Sequence, residues 1–338
     1  MMQSIKLKKS GGLEHIYVAN DLESNAPEKG EIKVKIHASS LNYHDYLVAS
    51  GAMETAQDRV LLSDGAGVVV AVGEGVTEFS VGDNVVSTFF PQWQSGQANA
   101  DVGNFSQTPG DGAEGLAAEY VTRATSAFTL APQGWSHEES ATITTAGLTA
   151  WRALVTDGNL KAGDTIVTLG TGGVSIAALQ IGKMFGAKVI VTSSSNEKIE
   201  KAKALGAFAG VNYKEHPEWA KEVLAITHGK GADHVIEVGG PGTLAQSVEA
   251  VAVGGKISLI GVLTGFAGEL PIGVLMFKQA RLQGMLVGSR TDQQDYVRAL
   301  ESNNVRPVVD KVFKYAELGK AFEHQINGAH FGKICVQW

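Results

Sequence analysis

The chain has 338 residues, 44% of them hydrophobic, which is more than one core usually holds and enough apolar surface for two domains. Its 28 Lys and Arg stand against 35 Asp and Glu, a net charge of −7 with no Lys/Arg-rich run, which argues against a nucleic-acid partner. The only cysteine, Cys335, excludes an intramolecular disulfide and every zinc cluster built on cysteines.

The opening segment "MMQSIKLKKSGG" has basic residues with no apolar core behind them, and no run of 18 apolar residues follows anywhere. The expectation is a cytoplasmic protein that does not enter a membrane. Residues 1 to about 125 read as β-rich. "EIKVKIHASS" and "GVVVAVGEGV" are β-branched runs bounded by glycine and polar residues.

Directly after the first of these, "SSLNYHDYLVASG" packs Asn42, Tyr43, His44 and Asp45 side by side. Alone, the four residues fit a metal site, chemistry without a metal, or a strand end that caps the next turn. Farther on, "QSGQANADVGNFSQTPGDGAEGL", residues 94 to 116, reads as a Gly- and Ser-rich loop that lines or covers a cleft.

From about residue 130 the texture changes to strands alternating with helices. "TIVTL" 165–169, "KVIVTS" 188–193, "HVIEVG" 234–239 and "KISLIG" 256–261 are buried-type strands. Between them, one helix carries Val174, Ala177, Ala178, Ile181 and Phe185 on one face and stops at Gly186. A second opens at Asn196, carries Ile199, Ala202 and Leu205, and ends at Gly206. Repeated βαβ units imply a parallel sheet. The last segment, "FGKICVQW", reads as a strand that could rejoin the first domain.

The first βα junction carries the chemistry. Gly170, Thr171, Gly172, Gly173 and Val174 lie between strand and helix, where glycines let backbone N–H groups approach a pyrophosphate at a helix N-terminus. The third fingerprint position is Ser175 instead of glycine. At the end of the second strand, where NAD-selective folds place a carboxylate, the chain has Ser193, Ser194 and Ser195, with Lys198 one turn later. Hydroxyls and an ammonium suit a 2′-phosphate, so NADPH is expected over NADH, with Tyr213 flanking the same phosphate.

No tyrosine has a lysine four residues later, which removes the Tyr-x-x-x-Lys mechanism. The nine histidines show neither His-Glu-x-x-His nor His-x-His spacing. P-loop and Gly-x-Ser-x-Gly signatures are also absent, leaving hydride transfer.

The segments "ASSLNYHDYLVASG", "LLSDGAGVVVAVGEGVTEFSVGDNVV", "AGLTAW", "AGDTIVTLGTGGVSIAALQIGKMFGAKVIVTSSSNEKIEKAKALGA", "HVIEVGGPGTL" and "GAHFGKI" together resemble the medium-chain dehydrogenase/reductase superfamily over nearly the full length. The nearest likeness is to its zinc-free, quinone-oxidoreductase-like branch. The resemblance implies an α/β protein: a discontinuous GroES-like catalytic domain, 1–128 and 271–338, and a Rossmann domain, 129–270, with the cofactor cleft between them.

It also implies that no zinc is held. Asn42 stands where zinc-dependent members have a cysteine ligand, "LSDGAG" with Ser63 and Asp64 replaces their Gly-His-Glu turn, and the third ligand position falls near Thr145. By the same carry-over Thr145 and Thr149 approach the nicotinamide, Gly239, Gly240, Gly261 and Val262 face the cofactor from strand ends, and Val287, Gly288, Ser289, Phe331 and Lys333 close the site.

The expected reaction is metal-free hydride transfer from NADPH to a quinone, enone or alkenal, whose developing charge is delocalised and needs only hydrogen-bond stabilisation. Asn42 is expected as an amide donor to the acceptor oxygen, equally readable as a strand-end residue bonding local backbone. Tyr43 would donate or stack. His44 would relay a proton or simply pack. Asp45 would orient its neighbours, and Asp64 would do the same or approach the substrate. Two other readings stay open: a metal-free alcohol dehydrogenase or ketone reductase, and a non-enzymatic, crystallin-like NADPH-binding protein. A homodimer or homotetramer is expected.

Overall fold

The computed structural model describes residues 1–8, 11–23, 25–102 and 105–338, the side chain of Asp101 apart; Gly103 and Asn104 of the expected cleft loop therefore lie outside the described residues. The chain forms two compact units, Met1–Leu148 with Val287–Trp338, and Thr149–Leu286. These joins differ from the expected 128/129 and 270/271. Phe128–Leu130 pairs with Asn84–Ser87, which keeps the chain after 128 in the first unit. Arg281–Gly284 pairs with Val251–Leu259, which keeps the chain after 270 in the second.

The first unit is built on a seven-stranded sheet. Its path runs Val309–Lys314, Lys333–Gln337, Glu31–Ser40, Ala66–Val72, Asn84–Ser87, Phe128–Leu130, and Tyr120–Ala124 also pairs with Glu31–Ser40. Glu31–Ser40 alternates as a half-buried strand must: Ile32, Val34 and Ile36 point to the core, with Lys33 and Lys35 between them less buried. They meet Val69, Val85, Leu116 and Phe128 there. Gly67 is required by this pairing, since a Cβ would stand 1.9 Å from the Lys35 carbonyl oxygen. A smaller sheet joins Ile16–Leu22, Met2–Leu7 and Arg59–Val60.

"FGKICVQW" does return to the first unit. Lys333–Gln337 lies antiparallel to Glu31–Ser40 with Cys335 opposite Ser40, and the Leu41 N–H donates to the Ile334 carbonyl. This register carries Lys333 just past the end of the earlier strand, beside Leu41 and Asn42.

The second unit is a six-stranded parallel sheet in the order Ala209–Asn212, Lys188–Ser193, Thr165–Leu169, Ala232–Glu237, Val251–Leu259, Arg281–Gly284. In sequence order this is 3-2-1-4-5-6, the doubly wound arrangement whose order reverses between the first and fourth strands. The first two strands keep their expected bounds. The next two are displaced toward the N-terminus, because Gly239, Gly240 and Gly261 have already left the ladder.

The helix Gly173–Met184 buries Ser175, Ile176, Ala178, Leu179, Ile181 and Gly182, so its inner face is rotated from the expected one: Val174, Ala177 and Phe185 are only half-buried. Gly182 explains the rotation, since a Cβ there would come within 2.6 Å of Val189 and 2.8 Å of Ile166 on the sheet. The helix Asn196–Leu205 buries Ile199 and Ala202, with Leu205 half-buried. Among the described residues no helix is long and apolar enough to cross a membrane.

Candidate functional site

In the first unit the three positions marked by the resemblance, Asn42, Ser63 and Thr145, converge on one buried network with Asp64 and Lys333. The Lys333 ammonium donates to the Leu41 carbonyl and to Asn42 Oδ1, both at 2.6 Å, and stands 3.7 Å from Asp64 Oδ2. Asn42 Nδ2 donates to Asp45 Oδ2 at 3.0 Å and to Ser63 Oγ at 3.3 Å. Asp45 also accepts from the Asn42 and Ser63 backbone N–H groups at 2.8 and 2.9 Å, tying the start of the helix Tyr43–Ala49 to the turn before Ala66–Val72.

This corrects the reading of Asn42. Its oxygen and both amide hydrogens are committed within the protein, so it organises the network and offers no free donor to an acceptor oxygen. Asp45 holds Asn42 and Ser63 in place through these hydrogen bonds.

Asp64 is 0% exposed and cannot itself touch a substrate. Its Oδ2 accepts from Ser40 Oγ at 2.5 Å, and its Oδ1 accepts from Thr145 Oγ1 at 2.6 Å. Burial raises the carboxyl above the ordinary range, opposed by the Lys333 charge and reinforced by Asp45. Thr145 is half-buried and sits in Ile143–Gly147, a π-helical turn, a geometry found often at functional sites. Thr149 is buried in the helix Leu148–Trp151.

Tyr43 is half-buried, its ring 5.9 Å from that of Tyr46, and its hydroxyl has no hydrogen-bond partner among the described residues. His44 packs, one of the two readings open for it. Its Nε2 lies 3.1 Å from Asp111 Oδ2, and its ring stacks on Phe105 at 5.3 Å and meets the Phe89 edge at 5.4 Å. The remaining nitrogen, Nδ1, is buried with no hydrogen-bond partner among the described residues, and the imidazole lies between the Phe89 and Phe105 rings. Asp111 carried no signal in the sequence, since it lies 67 residues from His44 in a glycine-rich loop.

The C-terminal segment splits. Val287, Gly288 and Ser289 are buried, Val287 in the left-handed region at φ 44°, and Ser289 caps the helix Arg290–Asn303 by exchanging hydrogen bonds with Asp292. Phe331 is buried, its N–H on Asp310 Oδ1. Lys333 belongs to the Asn42–Asp64 network described above.

Among the described residues no group of three or more His, Cys, Asp or Glu is placed to hold a metal. At the network the donors are amide, hydroxyl and two carboxylates, Asp64 facing the Lys333 ammonium and Asp45 taken up by the Asn42 and Ser63 N–H groups, and zinc sites take thiolate, imidazole or carboxylate ligands. The residues present do not fit zinc.

The second unit holds the features expected of a dinucleotide turn. Gly170 adopts φ 74°, which favours glycine, and nothing lies within 4 Å of where a side chain would begin. Thr171 is buried, Gly172 is the extended residue before the helix, and Gly173 opens it, leaving the first N–H groups of that helix for an anion. Ser175, in the place of the third glycine, donates to the Leu169 carbonyl at 2.7 Å, so the hydroxyl serves the strand end.

Ser193, Ser194, Lys198 and Tyr213 gather at the C-terminal ends of the second and third strands. Ser193 Oγ accepts from the Ser195 N–H, the Tyr213 N–H donates to the Ser193 carbonyl, and Lys198 is half-buried on the helix that Ser195 caps. No carboxylate occupies the end of the second strand. At the fourth strand Glu237, fully buried and passed over in the sequence, organises the next turn. It accepts from the Gly239 and Gly240 N–H groups at 2.7 and 3.0 Å, from Thr243 at 2.6 Å, and from Ser247. Its backbone oxygen accepts from the Ile260 and Gly261 N–H groups, joining the ends of the fourth and fifth strands, and Val262 follows half-buried.

Residues 28–133 match the family described as alcohol dehydrogenase GroES-like domain, and residues 173–302 match zinc-binding dehydrogenase. A zinc-type alcohol dehydrogenase-like protein of Schizosaccharomyces pombe is 40% identical over 327 residues, 93% of this chain and 94% of its own length. The quinone oxidoreductase of Homo sapiens is 25% identical over 97% of this chain and 95% of its own. The crystal structure of an NAD-dependent alcohol dehydrogenase, 34% identical, superposes with a TM-score of 0.90 over 100% of both chains.

Proposed function

The chain belongs to the medium-chain dehydrogenase/reductase superfamily, a family of oxidoreductases, and from that membership we propose that it transfers hydride from NADPH, without a metal, to a quinone, enone or alkenal. The observation that carries the metal-free reading is the donor set itself. Asn42, Ser63 and Thr145 occupy the positions of the ligands in zinc-dependent relatives, and the Lys333 ammonium stands among their oxygens. A resident ammonium repels a divalent cation, and neutral amide and hydroxyl groups bind one weakly. The likeness to a quinone oxidoreductase supports a conjugated acceptor.

NADPH, when bound, supplies the hydride. Gly170, Gly172 and Gly173 would hold its pyrophosphate, and Ser193, Ser194, Lys198 and Tyr213 its 2′-phosphate. The Tyr43 hydroxyl, free of other duties among the described residues, takes the role first given to Asn42: it donates to the acceptor oxygen as charge develops. The same groups serve a simple ketone, a reading favoured by the relatives named alcohol dehydrogenases.

We read the protein as a cytoplasmic homodimer. The edge strand Arg281–Gly284 ends the sheet of the second unit, and close to it in the chain Phe266, Ile272, Met276 and Phe277 are 65–80% exposed. A free strand edge with apolar side chains near it suits pairing with a second copy.

The test is NADPH consumption over benzoquinones, enones, alkenals and ketones, with NADH in parallel and zinc measured on the same sample. Quinone or enone turnover by zinc-free protein supports the reading. Stoichiometric zinc, or strict use of NADH, overturns it.

A further inference from the structure

We infer that the proton of the reduction is delivered by Asp64 through the hydroxyl of Thr145, with Lys333 as the fixed counter-charge that receives the carboxylate; this rests on the hydride-transfer reading. The two carboxyl oxygens of Asp64 have different company. Oδ2 faces the Lys333 ammonium at 3.7 Å and the Ser40 hydroxyl at 2.5 Å. An ammonium can only donate, so Oδ2 is the oxygen that carries charge. Oδ1 has the Thr145 hydroxyl, 2.6 Å away, and a hydroxyl both donates and accepts. Among the described residues, a proton held on Oδ1 therefore has one hydrogen-bonded exit, the Thr145 oxygen.

Exposure runs the same way. Asp64 is 0% exposed, whereas Thr145 is half-buried at the π-helical turn, so the threonine is the outer member of the pair. The other charged groups about Asp64 are Asp45 on the helix Tyr43–Ala49 and Lys333 on the C-terminal strand. The Cys335 thiol, two residues from Lys333, is pushed up to about 12 by burial and does not compete for the proton.

The step balances. As hydride reaches the electrophilic carbon, the acceptor's π electrons move to its oxygen. The Thr145 O–H proton passes to that oxygen, and Thr145 takes the Asp64 Oδ1 proton in the same movement. Threonine ends as it began, and Asp64 ends as a carboxylate beside the Lys333 ammonium. After the product leaves, water returns a proton by the same hydroxyl.

The test compares Asp64→Asn, Thr145→Val and Thr145→Ser with the wild type, using a 2-alkenal and a benzoquinone as acceptors. Asp64→Asn and Thr145→Val should lose about a hundredfold or more in kcat with the alkenal, keep the KM for NADPH within about twofold, and lose much less with the quinone, whose reduced form is a weaker base. Thr145→Ser should recover to within about fivefold. Infrared spectra of the protein alone provide an arm independent of activity: a protonated-carboxyl band near neutral pH that Asp64→Asn removes and Thr145→Val shifts. Alkenal turnover kept within about threefold in Asp64→Asn or Thr145→Val, or no Asp64-dependent band, overturns the relay. A wild type that fails to oxidise NADPH with either acceptor overturns the hydride-transfer reading instead, and the infrared arm still decides whether Asp64 holds a proton.

Discussion

The ammonium of Lys333 stands 2.6 Å from the side-chain oxygen of Asn42, although 291 positions separate the two residues in the chain. That contact determines what the Asn42 amide can do. With its oxygen occupied by an ammonium, its N–H groups point to Asp45 and Ser63, and the donor expected to face a substrate faces the protein.

Removing the ammonium should therefore damage stability as well as chemistry. Lys333→Met leaves the Leu41 carbonyl and the Asn42 side-chain oxygen buried without their donor. A loss of about 1–3 kcal/mol is expected in urea unfolding. A variant as stable as the wild type would show that these two hydrogen bonds contribute nothing to the fold.

Selection of the dinucleotide should depend on Lys198. Replacing it with alanine removes one ammonium from the first turn of the helix that follows Ser193 and Ser194, and kcat/KM for NADPH should fall about tenfold with little change for NADH. Equal losses with both cofactors would take the 2′-phosphate away from Lys198.

Acid should weaken the first unit through a histidine pair. The rings of His37 and His137 stack at 4.5 Å with 10° between their planes. Burial lowers both pKa values, with Lys35 adding to the effect on His37 and His37 adding to that on His137. Both are neutral in the folded protein, whereas the unfolded chain protonates near its ordinary value of about 6.5. Stability is thus full above that value and is lost as pH falls through it toward the lower folded values, because the unfolded state binds more protons. Urea midpoints measured at about pH 7.5 and 5.5 should differ, and His137→Gln should flatten the difference.

The dimer can be tested at its apolar surface. Phe277 is 80% exposed, so Phe277→Glu costs the isolated chain little. Sedimentation should show a monomer for this variant and a dimer for the wild type. An unchanged dimer would move the interface elsewhere.

Much of this protein was legible along the chain because its signals are local. Strands at Thr165–Leu169 and Lys188–Ser193, the glycine turn between strand and helix, and the helix that opens at Asn196 are each written within a dozen residues. Period, turn chemistry and backbone freedom suffice to read them. The rotation of the helix Gly173–Met184 was not legible, because it depends on the room that Gly182 leaves for Val189 and Ile166 on the sheet.

The sequence by itself determined the two-part α/β architecture, the dinucleotide turn, the missing carboxylate at Ser193 and the replacement of zinc-ligand types at Asn42, Ser63 and Thr145. Only the tertiary structure decided which of the polar residues are spoken for. Lys333 reaches Asn42 through strand pairing between the two ends of the chain, His44 finds Asp111 across a loop, and Thr145 meets Asp64 at 81 positions' remove. Hydrogen bonding saturates: a donor used inside the protein is lost to a substrate, and the partner that uses it lies far away in the chain.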